Sequence, residues 1–112
     1  MLDKTTDLPS RLKDPSLLET RAYVAGDWIG ADDGATFKVR NPARGDVIAE
    51  VADLGRAEVA RAIAAADRAR RDWAARTGKE RAGVLRKWFD LMVENADDLA
   101  TILTAEMGKP LA

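Results

Sequence analysis

The spacing of apolar residues changes once along this 112-residue chain, near Gly55, and that change decides what it can fold into. Before Gly55, apolar and polar residues alternate in short runs, the pattern of strands with one covered face. After it, apolar residues recur every three or four positions, as on one side of a helix. Tyr23-Val24-Ala25, a Gly26-Asp27 turn and Trp28-Ile29 predict a short hairpin. Asp32-Asp33-Gly34 predicts a second turn. Thr36 to Arg40 alternates, with Phe37 and Val39 on one face. Asn41-Pro42-Ala43-Arg44-Gly45 carries Pro and Gly where a turn favours them, and Val47 to Val51 reads as the next strand. Together these segments predict a small antiparallel meander.

Three helices are expected beyond it. The first places Val59, Ile63, Ala66 and Trp73 on one face. Thr77 and Glu80 have the spacing of a capping box, and Val84, Leu85, Trp88, Phe89 and Met92 follow on a second helix. Asn95 is the expected cap of a third, with Asp97 and Asp98 in its first turn, and Gly108 and Pro110 as stop signals. Residues 1–21 read as an arm lying on something else. Asp14 there caps a short helical turn opened by Pro15, and Leu17 and Leu18 are the expected docking residues. The chain alone is therefore α+β, short antiparallel strands followed by three helices, with no β-α-β unit.

Composition narrows the chemistry. The length allows one domain at most. Lys and Arg total 18 against 19 Asp and Glu, so no basic excess exists to hold a nucleic-acid backbone or an anionic membrane. Cys and His are both absent, which removes disulfides, thiolate nucleophiles, Ser-His hydrolysis and the commonest metal ligand. No apolar run approaches the ~20 residues of a membrane helix. The start has neither the basic end nor the apolar stretch of a secretory signal, and a cytoplasmic location is the expectation.

Several patterns invite a functional reading and yield to a simpler one. Gly26, Gly30 and Gly34 recur every fourth residue, yet the Asp residues between them would repel phosphate, and turns account for them. Gly108-Lys109 resembles the tail of a phosphate loop, but Pro110 stands where Ser or Thr is needed, so a helix C-cap is the better reading. Asp32-Asp33 and Asp97-Asp98 are read as solvated turn and cap residues. Arg68-Ala69-Arg70-Arg71 is read as a solvated helix face, and Trp28, Trp73 and Trp88 as core anchors. The residues taken singly assign no catalytic, cofactor-binding or metal site.

The order of the segments adds a resemblance. Tyr23 to Trp28, then Phe37 to Ile48 around Asn41-Pro42-Ala43-Arg44-Gly45, is similar to the amino-terminal region of aldehyde dehydrogenases. Lys79-Glu80-Arg81-Ala82 with Leu85-Arg86, and Glu106-Met107-Gly108-Lys109-Pro110-Leu111-Ala112, resemble the elements that follow there. Within that family, Arg86 to Met92 and the Glu-x-Gly-Lys-Pro-Leu-Ala ending look most like succinate-semialdehyde dehydrogenases.

The resemblance implies an α/β fold for the complete enzyme, with a Rossmann-type coenzyme domain, a catalytic domain and a bridging hairpin for oligomers. Residues 22–112 would be the amino-terminal part of that coenzyme-binding domain, left incomplete. The implied reaction starts with a Cys thiolate on the aldehyde, passes hydride to NAD or NADP, and ends with a Glu-activated water on the thioester. Its substrate would be a small aldehyde, succinate semialdehyde, oxidised to succinate in 4-aminobutyrate degradation by a homo-oligomer. The family's Cys, Glu, Asn and nucleotide-contacting residues all lie downstream of these positions. Glu106 stands beside a stretch that helps form a monovalent-cation site in some members and is not assigned as a ligand. The chain is thus expected to be an amino-terminal fragment, catalytically silent and binding no cofactor by itself. A non-enzymatic module that self-associates or binds full-length subunits is the alternative, and a freestanding scaffold with an accidental likeness is a third reading.

Overall fold

The computed structural model describes residues 7–111. Residues 1–6 of the expected arm and Ala112 of the terminal motif lie outside them. In chain order come two 3-10 turns (Pro9–Arg11 and Pro15–Leu17), β1 (Ala22–Val24), β2 (Asp27–Ile29), β3 (Thr36–Arg40), β4 (Val47–Ala52), α1 (Arg56–Ala75), α2 (Gly78–Glu94) and α3 (Ala96–Met107). The expected strands and helices are present, but the meander is not. Among the described residues, β1 pairs with β2 and β3 with β4, as two separate two-stranded sheets. The Asp32-Asp33-Gly34 turn, closed by Gly34 N–H on the Ala31 carbonyl at 2.9 Å, separates the hairpins instead of joining them into one sheet.

The chain divides into two compact units. The first comprises residues 7–20, Phe37–Val51 and 95–111. Its core is Leu8, only 2% exposed, with Leu12 and Ala105, and Leu18, Ile48 and Ile102 pack against them. The arm does lie on another element, but Leu8 and Leu12 are its main anchors, with Leu18 secondary and Leu17 only half-buried. Each 3-10 turn opens with a proline, whose fixed φ suits the first helical position. Asp14 caps the second as expected, accepting from Ser16 N–H at 3.1 Å. The β3–β4 turn closes with Gly45 at φ 79°, its N–H donating to the Asn41 carbonyl at 2.7 Å. Gly108 ends α3 in the left-handed region at φ 80° and donates to the Thr104 carbonyl at 2.9 Å. A Cβ there would meet Pro42 at 3.5 Å, so conformation rather than crowding calls for glycine.

The second unit comprises Arg21–Thr36 and Ala52–Glu94. The β1–β2 register pairs Ala22 with Ile29, Tyr23 with Trp28 and Val24 with Asp27. The turn is therefore Ala25-Gly26, one residue earlier than the sequence suggests. Both residues have positive φ, 52° and 88°, as a type I′ hairpin turn requires. Tyr23 and Trp28 meet edge to face, ring centres 5.0 Å apart. This cross-strand contact favours the observed register over the one-residue shift that would part the rings.

On α1, the half-buried residues Ala62 and Ala65 continue the face of buried Glu58. The stripe that periodicity selected, Val59, Ile63, Ala66 and Trp73, is exposed. Small side chains admit a close neighbour, whereas the larger ones on the adjacent face, Val59, Ile63 and Trp73, stay 38–65% exposed. At the start of α2 the capping box forms as expected: Glu80 N–H donates to Thr77 Oγ1 at 3.1 Å, and Thr77 N–H to Glu80 Oε2 at 3.2 Å.

Ala25 carries a Cβ in a region that costs an L-residue about 1 kcal/mol or more. Replacing it with Asn, which gives the Asn-Gly pair favoured in such turns, should stabilise the chain by about 0.5–1 kcal/mol. Ala25→Val should destabilise it. The shift in the urea midpoint, followed by far-ultraviolet circular dichroism, checks both.

Candidate functional site

The titratable groups with displaced pKa values are the first places to look for chemistry. Asp98 is 6% exposed and sits in the first turn of α3. Its Oδ1 accepts from Lys13 N–H and its Oδ2 from Asp14 N–H, both at 2.9 Å. These two donors hold its carboxyl below the ordinary value of 3.8, against the opposing effect of burial. Asp98 is thus not the solvated cap residue expected from sequence but a clasp that fixes the arm.

Glu58, 5% exposed in the first turn of α1, plays a matching part in the second unit. Its Oε2 accepts from Asp32 N–H at 3.1 Å, and further backbone donors at its own helix start help hold its carboxyl below 4.5. Asp32 then takes Arg61 in a two-bond fork, at 2.7 and 2.9 Å, which lowers the Asp32 pKa and raises that of Arg61. Asp32 remains exposed, as expected, but Arg61 partners it. Groups held ionised by bonds to backbone and guanidinium are poor proton shuttles at neutral pH. They are structural fasteners.

The other sequence patterns fall as follows. Gly26 and Gly34 occupy turns with positive φ, and Gly30 lies just beyond β2. None of the three opens a helix, so no cradle of N–H groups forms for a phosphate. Gly108-Lys109 is the C-terminal stop of α3. Arg68, Arg70 and Arg71 are exposed on α1, with Arg70 paired to Asp67 at 3.1 Å. Asp33, Asp97 and Glu106 are exposed, and no group of three potential metal ligands occurs among the described residues. No described helix is long and apolar enough to cross a membrane. The three tryptophans are not core anchors: Trp28, Trp73 and Trp88 are all exposed. Trp28 has only the edge of Tyr23 against it and Trp73 only the Arg76 guanidinium, 6.0 Å from its ring centre, so both stay partly exposed.

The second unit carries concave surface. A groove of about 640 Å³ runs between the β1–β2 hairpin and α1, lined by Tyr23, Gly26, Ala62, Ala66, Ala69 and Asp72. A neighbouring hollow of about 560 Å³ lies along α1 between Ala66 and Arg76. Both are open and mainly apolar. They offer small side chains for packing, no nucleophile with an adjacent base, and no set of donors that fits a dinucleotide.

This is the surface of a piece of a larger fold, and comparison with known proteins says which. A profile of the Aldehyde dehydrogenase family matches residues 28–112, and the chain belongs to that family. The glutarate-semialdehyde dehydrogenase of Pseudomonas aeruginosa is 57% identical over 102 residues, which cover 91% of this chain and 21% of that protein. A 3-sulfolactaldehyde dehydrogenase of Pseudomonas putida is 54% identical over 101 residues, covering 90% and 21%. The crystal structure of succinate-semialdehyde dehydrogenase from Burkholderia pseudomallei superposes with a TM-score of 0.86 at 55% identity, over 89% of this chain and 21% of that one. The chain thus spans about a fifth of the length of the relatives it matches. The resemblance read from the ordered motifs is correct, and it extends to the semialdehyde branch.

The Asp98 clasp yields a pH prediction. Its folded pKa lies below its unfolded value, so its stabilisation is fully present above about pH 4 and is lost as pH falls through the depressed folded value. In NMR spectra, the Lys13 and Asp14 amide protons should move upfield on acidification, with a midpoint below 3.8. Asp98→Asn should abolish that titration and lower the thermal midpoint at pH 7. A titration unchanged in Asp98→Asn would show that another group holds the arm.

Proposed function

We propose that this chain is the amino-terminal portion of an NAD(P)-dependent dehydrogenase for short aldehydes with an anionic far end, succinate semialdehyde foremost. The single observation that carries the reading is the pairing of a family match over residues 28–112 with about a fifth of the relatives' length. Glutarate semialdehyde, succinate semialdehyde and 3-sulfolactaldehyde, the compounds that name the three relatives above, are all aldehydes with a carboxylate or sulfonate at the other end. The complete enzyme would oxidise such an aldehyde to the acid with NAD or NADP as electron acceptor, as a homo-oligomer in the cytoplasm. With succinate semialdehyde the product is succinate, as 4-aminobutyrate degradation requires.

In this reading residues 1–21 are an arm, and residues 22–112 belong to the coenzyme-binding domain without completing it. The 112 residues include no Cys, so the thiolate on which the family reaction depends has no counterpart in them. By itself the chain is catalytically silent and binds no cofactor. Its contribution is scaffold: two hairpins and three helices on which the reacting parts are mounted.

A chimera tests this. The 102 matched residues of this chain replace the matched fifth of the Pseudomonas aeruginosa glutarate-semialdehyde dehydrogenase. The fused protein should oxidise glutarate and succinate semialdehydes, whereas the 112-residue chain alone should give only the blank rate with NAD or NADP. Turnover by the isolated chain would overturn the silence. A soluble chimera with no activity toward either compound would overturn the scaffold role.

A further inference from the structure

A third hollow of the second unit differs from the other two in its charges. Arg61, Ala65 and Arg68 stand at intervals of four and three residues, so they share one side of α1 over about 10 Å of its length. With Val24 at the end of β1, Ile29 at the end of β2, and Asp32, they line a pocket of about 320 Å³ that is open to solvent. It adjoins the larger groove and shares Val24, Ala65 and Arg68 with it.

The charged groups there are unequally engaged. Asp32 and Arg61 occupy each other through their two-bond fork, and buried Glu58 holds the Asp32 N–H. That end carries two carboxylates against one guanidinium. Arg68 has no hydrogen bond or ion pair with any described residue, and its neighbour Asp67 is taken by Arg70. Arg68 therefore presents an unused planar fork, the geometry that fits a carboxylate, beside the half-buried side chains of Val24, Ile29 and Ala65. The complement of such a pocket has an anionic head, an aliphatic body and no second negative charge.

We propose that this pocket binds a short aliphatic monocarboxylate, its head on the Arg68 guanidinium and its chain against Val24, Ile29 and Ala65. The volume equals roughly ten waters at ~30 Å³ each, which suits a chain of about four to six carbons. The head accepts two parallel N–H bonds from Arg68. A dicarboxylate of the same length is disfavoured, because its second head meets the negative balance of Asp32 and Glu58 against Arg61. That preference is the reverse of what a plain surface arginine would show, since a lone cation attracts the dianion at least as well. Every residue of the site lies within the second unit, so the site is independent of what a complete enzyme would oxidise.

Valerate and glutarate, five-carbon acids with one carboxylate and two, are the probes. Each is titrated at pH 7 and constant ionic strength into the nitrogen-15-labelled 112-residue chain. The signals followed are the amides of Val24, Ala25 and Ile29 and the Arg68 Nε–H. Valerate should give saturable shifts with a dissociation constant on the order of 1 mM, in keeping with so small a ligand. Glutarate should bind at least about fivefold more weakly. Arg68→Gln should raise the valerate constant by about tenfold or more, the loss of a charge-assisted pair of bonds. Arg71→Gln removes an exposed cation of α1 outside the pocket and should leave it within about twofold. Asp32→Asn takes away one carboxylate and frees Arg61, so glutarate should then come within about twofold of valerate. All three positions are exposed, and circular dichroism should show the variants folded. Shifts that do not saturate, valerate binding unchanged in Arg68→Gln, or glutarate binding the unaltered chain as tightly as valerate would each overturn the proposal.

Discussion

Each unit of this protein is held by a carboxylate in the first turn of a helix that bonds backbone N–H groups from a segment remote in sequence. Asp98 on α3 takes Lys13 and Asp14; Glu58 on α1 takes Asp32. The chemistry suits the place. The start of a helix has N–H groups without partners and a partial positive charge, so it tolerates a buried carboxylate that would be costly elsewhere. A carboxylate has acceptor sites to spare, and one side chain can serve its own helix and a passing strand or arm together. In the second unit secondary structure and tertiary attachment therefore share one carboxylate, because Glu58 bonds backbone at its own helix start as well as Asp32. Arg61 extends the second fastener by gripping Asp32 from α1.

The hydrophobic contribution, by contrast, is small. Among the described residues only Leu8, Leu12 and Ala105 form a buried apolar cluster, all in the first unit. In the second unit α1 turns Ala62 and Ala65 inward and leaves Val59 and Ile63 exposed, and the large apolar side chains of α2 stay 47–63% exposed. A chain with 46% hydrophobic residues would ordinarily bury more. The family match over a fifth of the relatives' length accounts for the difference, because helices of a large fold are patterned for neighbours that lie elsewhere in it.

Local signals were the legible ones. Thr77 and Glu80 announce their capping box by spacing alone, and the Asn41 to Gly45 turn, the Gly108 stop and the Asp14 cap were equally readable. Each depends on bonds between residues a few positions apart. What could not be read depended on distant partners. Spacing alone points to Leu17 and Leu18 as the arm's anchors, because Leu8 and Leu12 show their role only against Ala105 and Ile102. Asp98 looked like an ordinary helix-start acid until the arm's backbone was placed against it. The hairpin turn fell one residue early, since the strand pairing, with Tyr23 opposite Trp28, outweighed the strain at Ala25. The tryptophans were misplaced for the opposite reason: an apolar stripe states that a helix will be covered, not by what.

The amino-acid sequence by itself determined the element types and their order, the Asp14 cap, the Thr77–Glu80 capping box and the Gly108 stop, the absence of Cys and His chemistry, and the family through four motifs in register, whereas Asn95, the expected cap of α3, stands at its start without a side-chain cap bond. These follow from short-range hydrogen bonding, backbone preference and residue inventory, which a linear string contains in full. Only the tertiary structure decided that the strands form two hairpins rather than a meander, that α1 faces its hairpin with alanines, and that Asp98 and Glu58 are buried fasteners. Those outcomes turn on which distant groups meet and how much surface each contact hides, and spacing along one chain does not encode either.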